Sequence, residues 1–161
     1  MKEAYLLEKS IPKTIIAPVD LNTAANTGGR FDMQKFKRVS FICILAAGTS
    51  TTTHSFALKQ HTVASAGTPA VLSVSNPYFY KKAAETSFTK VSPSSAADTY
   101  DLHTLLADNV AIVVFEVLQE QLTDGYRWAS IDIADAGGAQ LGTVIAIGHN
   151  GTENPCYSKV V

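Results

Sequence analysis

Residues 31–49 read FDMQKFKRVSFICILAAGT, a charged entry that runs straight into an apolar strand and stops at a glycine. Val39, Phe41, Cys43 and Leu45 fall on one parity, and Ile42, Ile44 and Ala46 on the other. Successive side chains of a strand point to opposite faces, so both faces of this segment are apolar. Residues 111–118, AIVVFEVL, repeat the double pattern. Such strands are expected at the centre of a sheet, covered on both sides. Residues 55–60, SFALKQ, alternate more cleanly, with Phe56 and Leu58 facing in and Ser55, Ala57 and Lys59 facing out.

Working outward, runs rich in Val, Ile, Phe and Thr between Gly, Asn, Asp, Ser and Pro clusters place strands at 14–19, 37–46, 54–61, 70–75, 87–91, 111–118, 126–133 and 142–148. About eight short strands at this spacing predict an all-β chain, a single antiparallel β-sandwich or barrel. It spans 13–149, with an N-terminal arm at 1–12 and a C-terminal arm at 150–161. Asp124-Gly125 is a strong hairpin signal and predicts that the strands on either side are antiparallel neighbours. In YRWASIDIAD, Tyr126 and Trp128 have the opposite parity to Ile131 and Ile133, which a bulge near Ala129 would reconcile. Helix is expected only as a turn or two within 1–10 and 95–109. Residues 21–30, 46–53, 63–68 and 90–98 read as loops, and there is no internal repeat.

With 161 residues, one domain hides about 70% of its unfolded surface, so a sizeable core forms without metal or disulfide support. Charged residues make up only 17% of the chain, and 13 basic against 14 acidic side chains leave a formal charge of −1. Such a balance offers no electrostatic grip on a polyphosphate, so no specific nucleic-acid partner is expected. Lys35, Lys37 and Arg38 are read as a solvated strand edge guarding against stray pairing. Cys43 and Cys156 are too few for a disulfide scaffold and are expected to be free, Cys43 as a small core side chain. No stretch resembles a signal peptide or reaches the length of a membrane span, so synthesis in a cytosol without a membrane partner is expected.

No motif announces chemistry. Gly28-Gly29 and Gly137-Gly138 lack the spacing of a phosphate loop and are read as turns. His54, His61, His103 and His149 are the candidate metal or acid-base set, but His54 and His61 are an odd number apart and would face opposite ways in one strand. A surface or loop role is the reading for them. No nucleophile elbow surrounds any serine, and Asp132 and Asp135 have no inferable carboxylate partner. Neither a catalytic residue, a cofactor nor a metal is predicted, and the chain is expected not to be an enzyme. Asn150-Gly151-Thr152 is read as a turn. Tyr78, Phe79 and Tyr80 after Pro77 are read as a short strand placing one or two rings in the core, against the alternative of a sugar-stacking platform.

The order FDMQKFKRVSFICILAAGT, FALKQH, NVAIVVFEV, GYRWASIDIADAGGA and VIAIGHN, covering Asp32 to Gly148, resembles small virion proteins of tailed bacteriophages encoded beside the major capsid protein. The shared pattern is an aspartate-bearing entry to an apolar strand, a strand carrying Leu-x-Gln, a tyrosine-led strand after a tight turn and a closing strand ending in glycine. The middle, NPYFYKKAAETSFTKV with its Ser-rich loop, departs from it. The resemblance implies a capsid decoration or cement protein on the outer surface of a phage head. Its partners would be the major capsid protein and copies of itself, as a homotrimer. Alternatives are a tail- or fibre-associated or carbohydrate-binding β module, carried by Tyr78, Phe79, Tyr80 and Trp128, and a head-tail connector or tail-completion protein. Apolar side chains on the arms are the candidate partner interface: Tyr5, Leu6, Leu7 and Ile11 at one end, Tyr157, Val160 and Val161 at the other.

Overall fold

The computed structural model describes residues 10–22, 24–48, 54–102, 106 and 109–149. Among these are eleven strands: β1 (Ser10–Asp20), β2 (Phe31–Asp32), β3 (Arg38–Leu45), β4 (Ser55–His61), β5 (Ala70–Val71), β6 (Tyr78–Lys82), β7 (Thr89–Val91), β8 (Thr99–Asp101), β9 (Ala111–Leu118), β10 (Trp128–Ile133) and β11 (Leu141–His149). They form two antiparallel sheets, one ordered β1-β11-β3-β9-β6-β7 and the other β2-β10-β4-β5 with β8 also paired to β4. The chain is a β-sandwich. Its first strand begins at Ser10, ahead of the expected boundary at 13.

The layers meet on the inward parity. β3 contributes Val39, Phe41, Cys43 and Leu45, β9 contributes Val113, Phe115 and Val117, and the second sheet answers with Phe56, Leu58, Ala129, Ile131 and Ile133, all 2% exposed or less. Phe115 is the hub, its ring centroid 5.3 Å from Phe56, 5.6 Å from Tyr78 and 5.0 Å from Tyr100. Tilted contacts at these separations satisfy the ring quadrupoles as well as burying area. Tyr78 does enter the core from a short strand, as expected, and Tyr80 packs against it.

Several expectations fail for identifiable reasons. β9 and β10, on either side of Asp124-Gly125, lie in different sheets, because the turn sits at a crossing between layers. The turn itself forms, with Gly125 at φ 84° and the Tyr126 N–H donating to the Thr123 carbonyl at 2.9 Å. β10 pairs with β4 without interruption from Trp128↔His61 to Ile133↔Phe56, so there is no bulge at Ala129. The strand simply starts at Trp128, whose ring goes to the outer face. Bulging occurs instead in β1, where a register shift between Thr14 and Ile16 lets the consecutive Ile15 and Ile16 both be buried.

The stretch 99–101, expected within a helical turn, is strand paired with Ser55–Ala57, and beyond it the Leu106 N–H donates to the Leu102 carbonyl at 3.0 Å. Gly28-Gly29 is not a free turn. This segment runs beside β10, and a Cβ on Gly28 would lie 2.1 Å from the Ile131 carbonyl, so only glycine passes there. Its N–H donates to Asp132 Oδ1 at 2.9 Å, while burial raises the Asp132 carboxyl pKa.

His54 and His61 are not surface residues: they are 1% and 4% exposed. A short polar partner reaches each. Gln140 Nε2 lies 2.8 Å from His54 Nε2, and Ser130 Oγ lies 2.8 Å from His61 Nε2. Gln60, the Gln of the Leu-x-Gln pattern, donates to the Val71 carbonyl and Thr123 Oγ1 and accepts from the Thr123 N–H, tying β4 to the loop that follows β9.

Two outcomes follow from this core. Phe115→Ala removes the ring that three others contact and is expected to destabilise the fold by about 3–5 kcal/mol in chemical denaturation. Burial, with Arg30 and Lys59 nearby, lowers the His61 pKa from 6.5 to about 4. The unfolded chain therefore binds the extra proton first, so His61 costs stability as pH falls from 6.5 towards 4 and nothing above that window. His61→Gln is expected to flatten the pH dependence of the denaturation midpoint between pH 7 and 4.5; identical slopes in the two proteins would refute the assignment.

Candidate functional site

β3 and β9 are central in hydrogen bonding, but among the described residues only one of their two apolar faces is covered. β3 pairs with β11 through Gly142↔Leu45 to His149↔Arg38 and with β9 through Leu45↔Ala111 to Arg38↔Leu118. These registers set Ile145, Ile42 and Val114 in one outward row, and Thr143, Ile44 and Ile112 in the next. One step beyond, the Ala46 N–H donates to the Leu141 carbonyl, and Val110 immediately precedes β9's first paired residue, Ala111, closing a third row of Leu141, Ala46 and Val110.

Eight of the nine side chains are apolar and none is buried. Ile44 is 38% exposed, Val110 47% and Leu141 62%. A shallow apolar groove of about 300 Å³ runs along this end of the face, with Pro18 on its far wall. Double coverage was the expectation, and the second sheet supplies only one of the two covers.

The same face turns polar towards its other end. Ser40, 6% exposed, donates to Glu116 Oε1 at 3.0 Å and lies 3.0 Å from His149 Nε2, while Arg38 pairs with Glu116 at 3.7 Å. Burial and the neighbouring Arg38 lower the His149 pKa. Serine, histidine and glutamate meet here in the wrong order for acyl transfer. The hydroxyl proton points at the carboxylate, where a nucleophilic serine gives it to the imidazole. Arg38 belongs to this ion pair on a central strand, not to a sheet edge as its sequence position suggests.

Sheet edges offer little to a partner strand. β1 carries Pro12, Lys13 and Pro18 with its register broken twice, and its Ile15 carbonyl already accepts from Gly29. At the opposite edge β7 has three residues, and β2 and β5 have two each. Prolines, bulges and short edges are the usual means of preventing strand addition.

A second feature lies at the mouth of the other sheet. Asp32 accepts two hydrogen bonds from Arg127, at 2.9 and 2.6 Å, and that guanidinium holds the Asp32 carboxyl below its ordinary range. Arg127 also lies over the Trp128 ring, 5.2 Å from its centroid. One face of the Trp128 ring is thus occupied by a cation. Tyr78 is buried against Tyr100 at an interplanar angle of 70°, and Phe79, next along β6, faces the other side of the sheet, so the three consecutive rings do not share one face.

Of the other candidates, Ile11 lies half-buried against the core. Tyr5, Leu6, Leu7, Tyr157, Val160 and Val161, with His103 and Cys156, lie outside the described residues. Cys43 is a free buried thiol, and burial pushes its pKa well above the ordinary range. Among the described residues no three His, Cys, Asp or Glu side chains come together as a metal site, and no helix is long and apolar enough to cross a membrane. The face itself was missed as a site, although its signal, a second apolar parity on β3 and β9, was in plain view.

Compared by sequence, the chain matches no protein-family model and no curated protein. Compared by structure, it is similar to the CBM22-1–GH10 modules of Clostridium thermocellum endo-1,4-β-D-xylanase 10B, complexed with xylohexaose, at a TM-score of 0.38 and 9% identity. The match covers 96% of this chain and 28% of that one, and so loose a likeness carries no argument about ligand or activity.

An exposed apolar face should be dispensable for folding. Ile44→Lys with Leu141→Lys is expected to shift stability by no more than about 0.5 kcal/mol each while lowering the binding of a hydrophobic dye. Collapse of the double variant would instead make the face part of the core.

Proposed function

We propose that this chain is a structural module that works by contact: a phage capsid decoration protein that binds the outside of the shell through the open face of its six-stranded sheet. The observation that carries the contact is the three-by-three block from Leu141 to Val114, apolar in eight of nine positions and uncovered by the second sheet. Blunted edges on both sheets direct association to this face rather than to strand addition. The capsid as partner rests on the resemblance over Asp32 to Gly148.

Strand spacings of about 4.8 Å and outward rows about 7 Å apart give the block a footprint on the order of 300 Å². That is well below the roughly 800 Å² per partner of a stable pairwise interface. Contacts of this size hold when they are repeated across a symmetric lattice and supplemented elsewhere, which suits a shell carrying many copies.

The test is sedimentation of purified protein with phage heads lacking it. Binding is expected at a fixed ratio to the major capsid protein, with higher survival of heated heads, and Ile44→Lys is expected to abolish both. Heads that neither bind the protein nor gain stability from it would refute the reading. Recovery of only a ring's worth of copies at the portal would favour the connector alternative.

A further inference from the structure

The outward rows do not stop at β9. β6 continues them, since Phe79 pairs with Val114 and Lys81 with Ile112, and the Ala83 N–H donates to the Val110 carbonyl at 2.8 Å. β7 adds Lys90 opposite Phe79, and Phe88, 48% exposed, precedes that strand on the same parity. By the same strand and row spacings, five strands bring the open face to about 500 Å². On this side its apolar character ends in lysine: Lys81 and Lys82 are half-buried and Lys90 is exposed. A notch of about 170 Å³ opens beside β6, lined by Lys81, Lys82, Ala83, Val110, Ala111 and Ile112. It meets the apolar groove at Val110, which lines both.

Among the described residues no carboxylate answers these ammonium groups, the ion pairs being Arg38 with Glu116 and Arg127 with Asp32. Glu85, in the turn between β6 and β7, accepts from the Lys82 backbone N–H at 2.9 Å instead. The acids of the face are held elsewhere. Glu116 lies with Arg38 at the polar end, and Asp20, on the β1 edge, accepts from the N–H groups of Asn22 and Gln140 at 3.1 and 3.2 Å. A lysine stem laid along apolar surface with its head at the rim is stable while the head keeps its water. Covering the face takes that water away, and an apolar cover gives nothing in exchange. The lysines therefore set a charge requirement on whatever binds here.

We propose that the open face takes an extended segment of a partner protein that lays an apolar side chain in the groove at Ile44 and Val110 and turns a carboxylate side chain into the notch at Lys81 and Lys82. β3 and β6 are two strand spacings apart, about 10 Å, so the acid stands about three residues from the apolar anchor at roughly 3.3 Å per residue. An anionic lipid plane fits less well, because the same approach brings Glu116 and Asp20 against it. This pairing rests on the open face being a contact surface, and it holds whether or not the partner is a capsid.

The probe is a library of random peptides, selected on the full chain and counter-selected on its Ile44→Lys variant. Peptides that pass both steps are expected to carry Asp or Glu about three residues from an apolar side chain. Once synthesised, they are expected to bind the Lys81→Glu, Lys82→Glu double variant at least about tenfold more weakly than the wild type, with a smaller loss for Lys81→Gln with Lys82→Gln. Exchanging the peptide's acid for Lys is expected to abolish binding to the wild type and restore it to the glutamate variant, a rescue that a misfolded variant does not give. Peptides that need Ile44 but carry no acid, or whose affinity ignores both lysines, would overturn the carboxylate pairing alone. Recovery of no peptide that tells Ile44→Lys from the wild type would overturn the contact face with it. Cosedimentation with phosphatidylglycerol vesicles of the wild type, but not of the glutamate variant, would assign the lysines to a membrane and sink the pairing as well. Since no phage heads enter the experiment, its failure is distinct from failure to bind them.

Discussion

The sandwich depends on one junction, the meeting of Phe115 with Phe56, Tyr78 and Tyr100. Phe115 and Tyr78 come from the six-stranded sheet, Phe56 and Tyr100 from the other, so the cluster fixes both the spacing of the layers and their relative rotation. Around it the inward rows of β3, β9, β4 and β10 are apolar apart from Gln60 at the end of β4. Everything else is arranged about that constraint. Ring packing also explains Gly148 on β11: a Cβ there would lie within 2.6–2.8 Å of the Phe31 and Phe36 rings, so the closing strand has to be bare at that point.

Polar side chains inside the fold tie its strands and loops together. Gln60 joins β4 to the loop at Thr123, and Asn76 and Gln121 exchange amide hydrogen bonds at 2.9 and 2.8 Å across the start of β6 and the end of β9. Half-buried amides with reciprocal partners stabilise modestly when satisfied and cost more when one partner is lost, so they favour a single arrangement of loops. His61 with Ser130 does the same across β4 and β10, at the expense of stability in acid.

The contact surface proposed for this chain lies on the side of the sheet that this core leaves alone. A central strand covered on one side only has no structural need for isoleucine on the other, where Thr, Ser and Lys serve as well. Ile42, Ile44, Ile112, Val114 and Ile145 on that side, together with edges closed to strand addition, are what a module working by contact requires. The polar end of the face, with Arg38, Glu116, Ser40 and His149, gives it a direction, apolar at the end away from the Ser10–His149 pair.

By itself the sequence determined the all-β class, the inward parity of SFALKQ, the central position of residues 38–45 and 111–118, and the entry of Tyr78 into the core. Each follows from periodicity or composition within a few residues, which is local information. Tertiary structure alone decided that β9 and β10 lie in different sheets, that Gly28 is pressed against β10 rather than turning freely, that His54 and His61 are interior, and above all that only one apolar face of β3 and β9 is covered. Periodicity reports that a face is apolar but is silent on what lies opposite, because the covering element comes from strands far away in the chain. Here the second sheet packs on one side of the first and nothing among the described residues packs on the other.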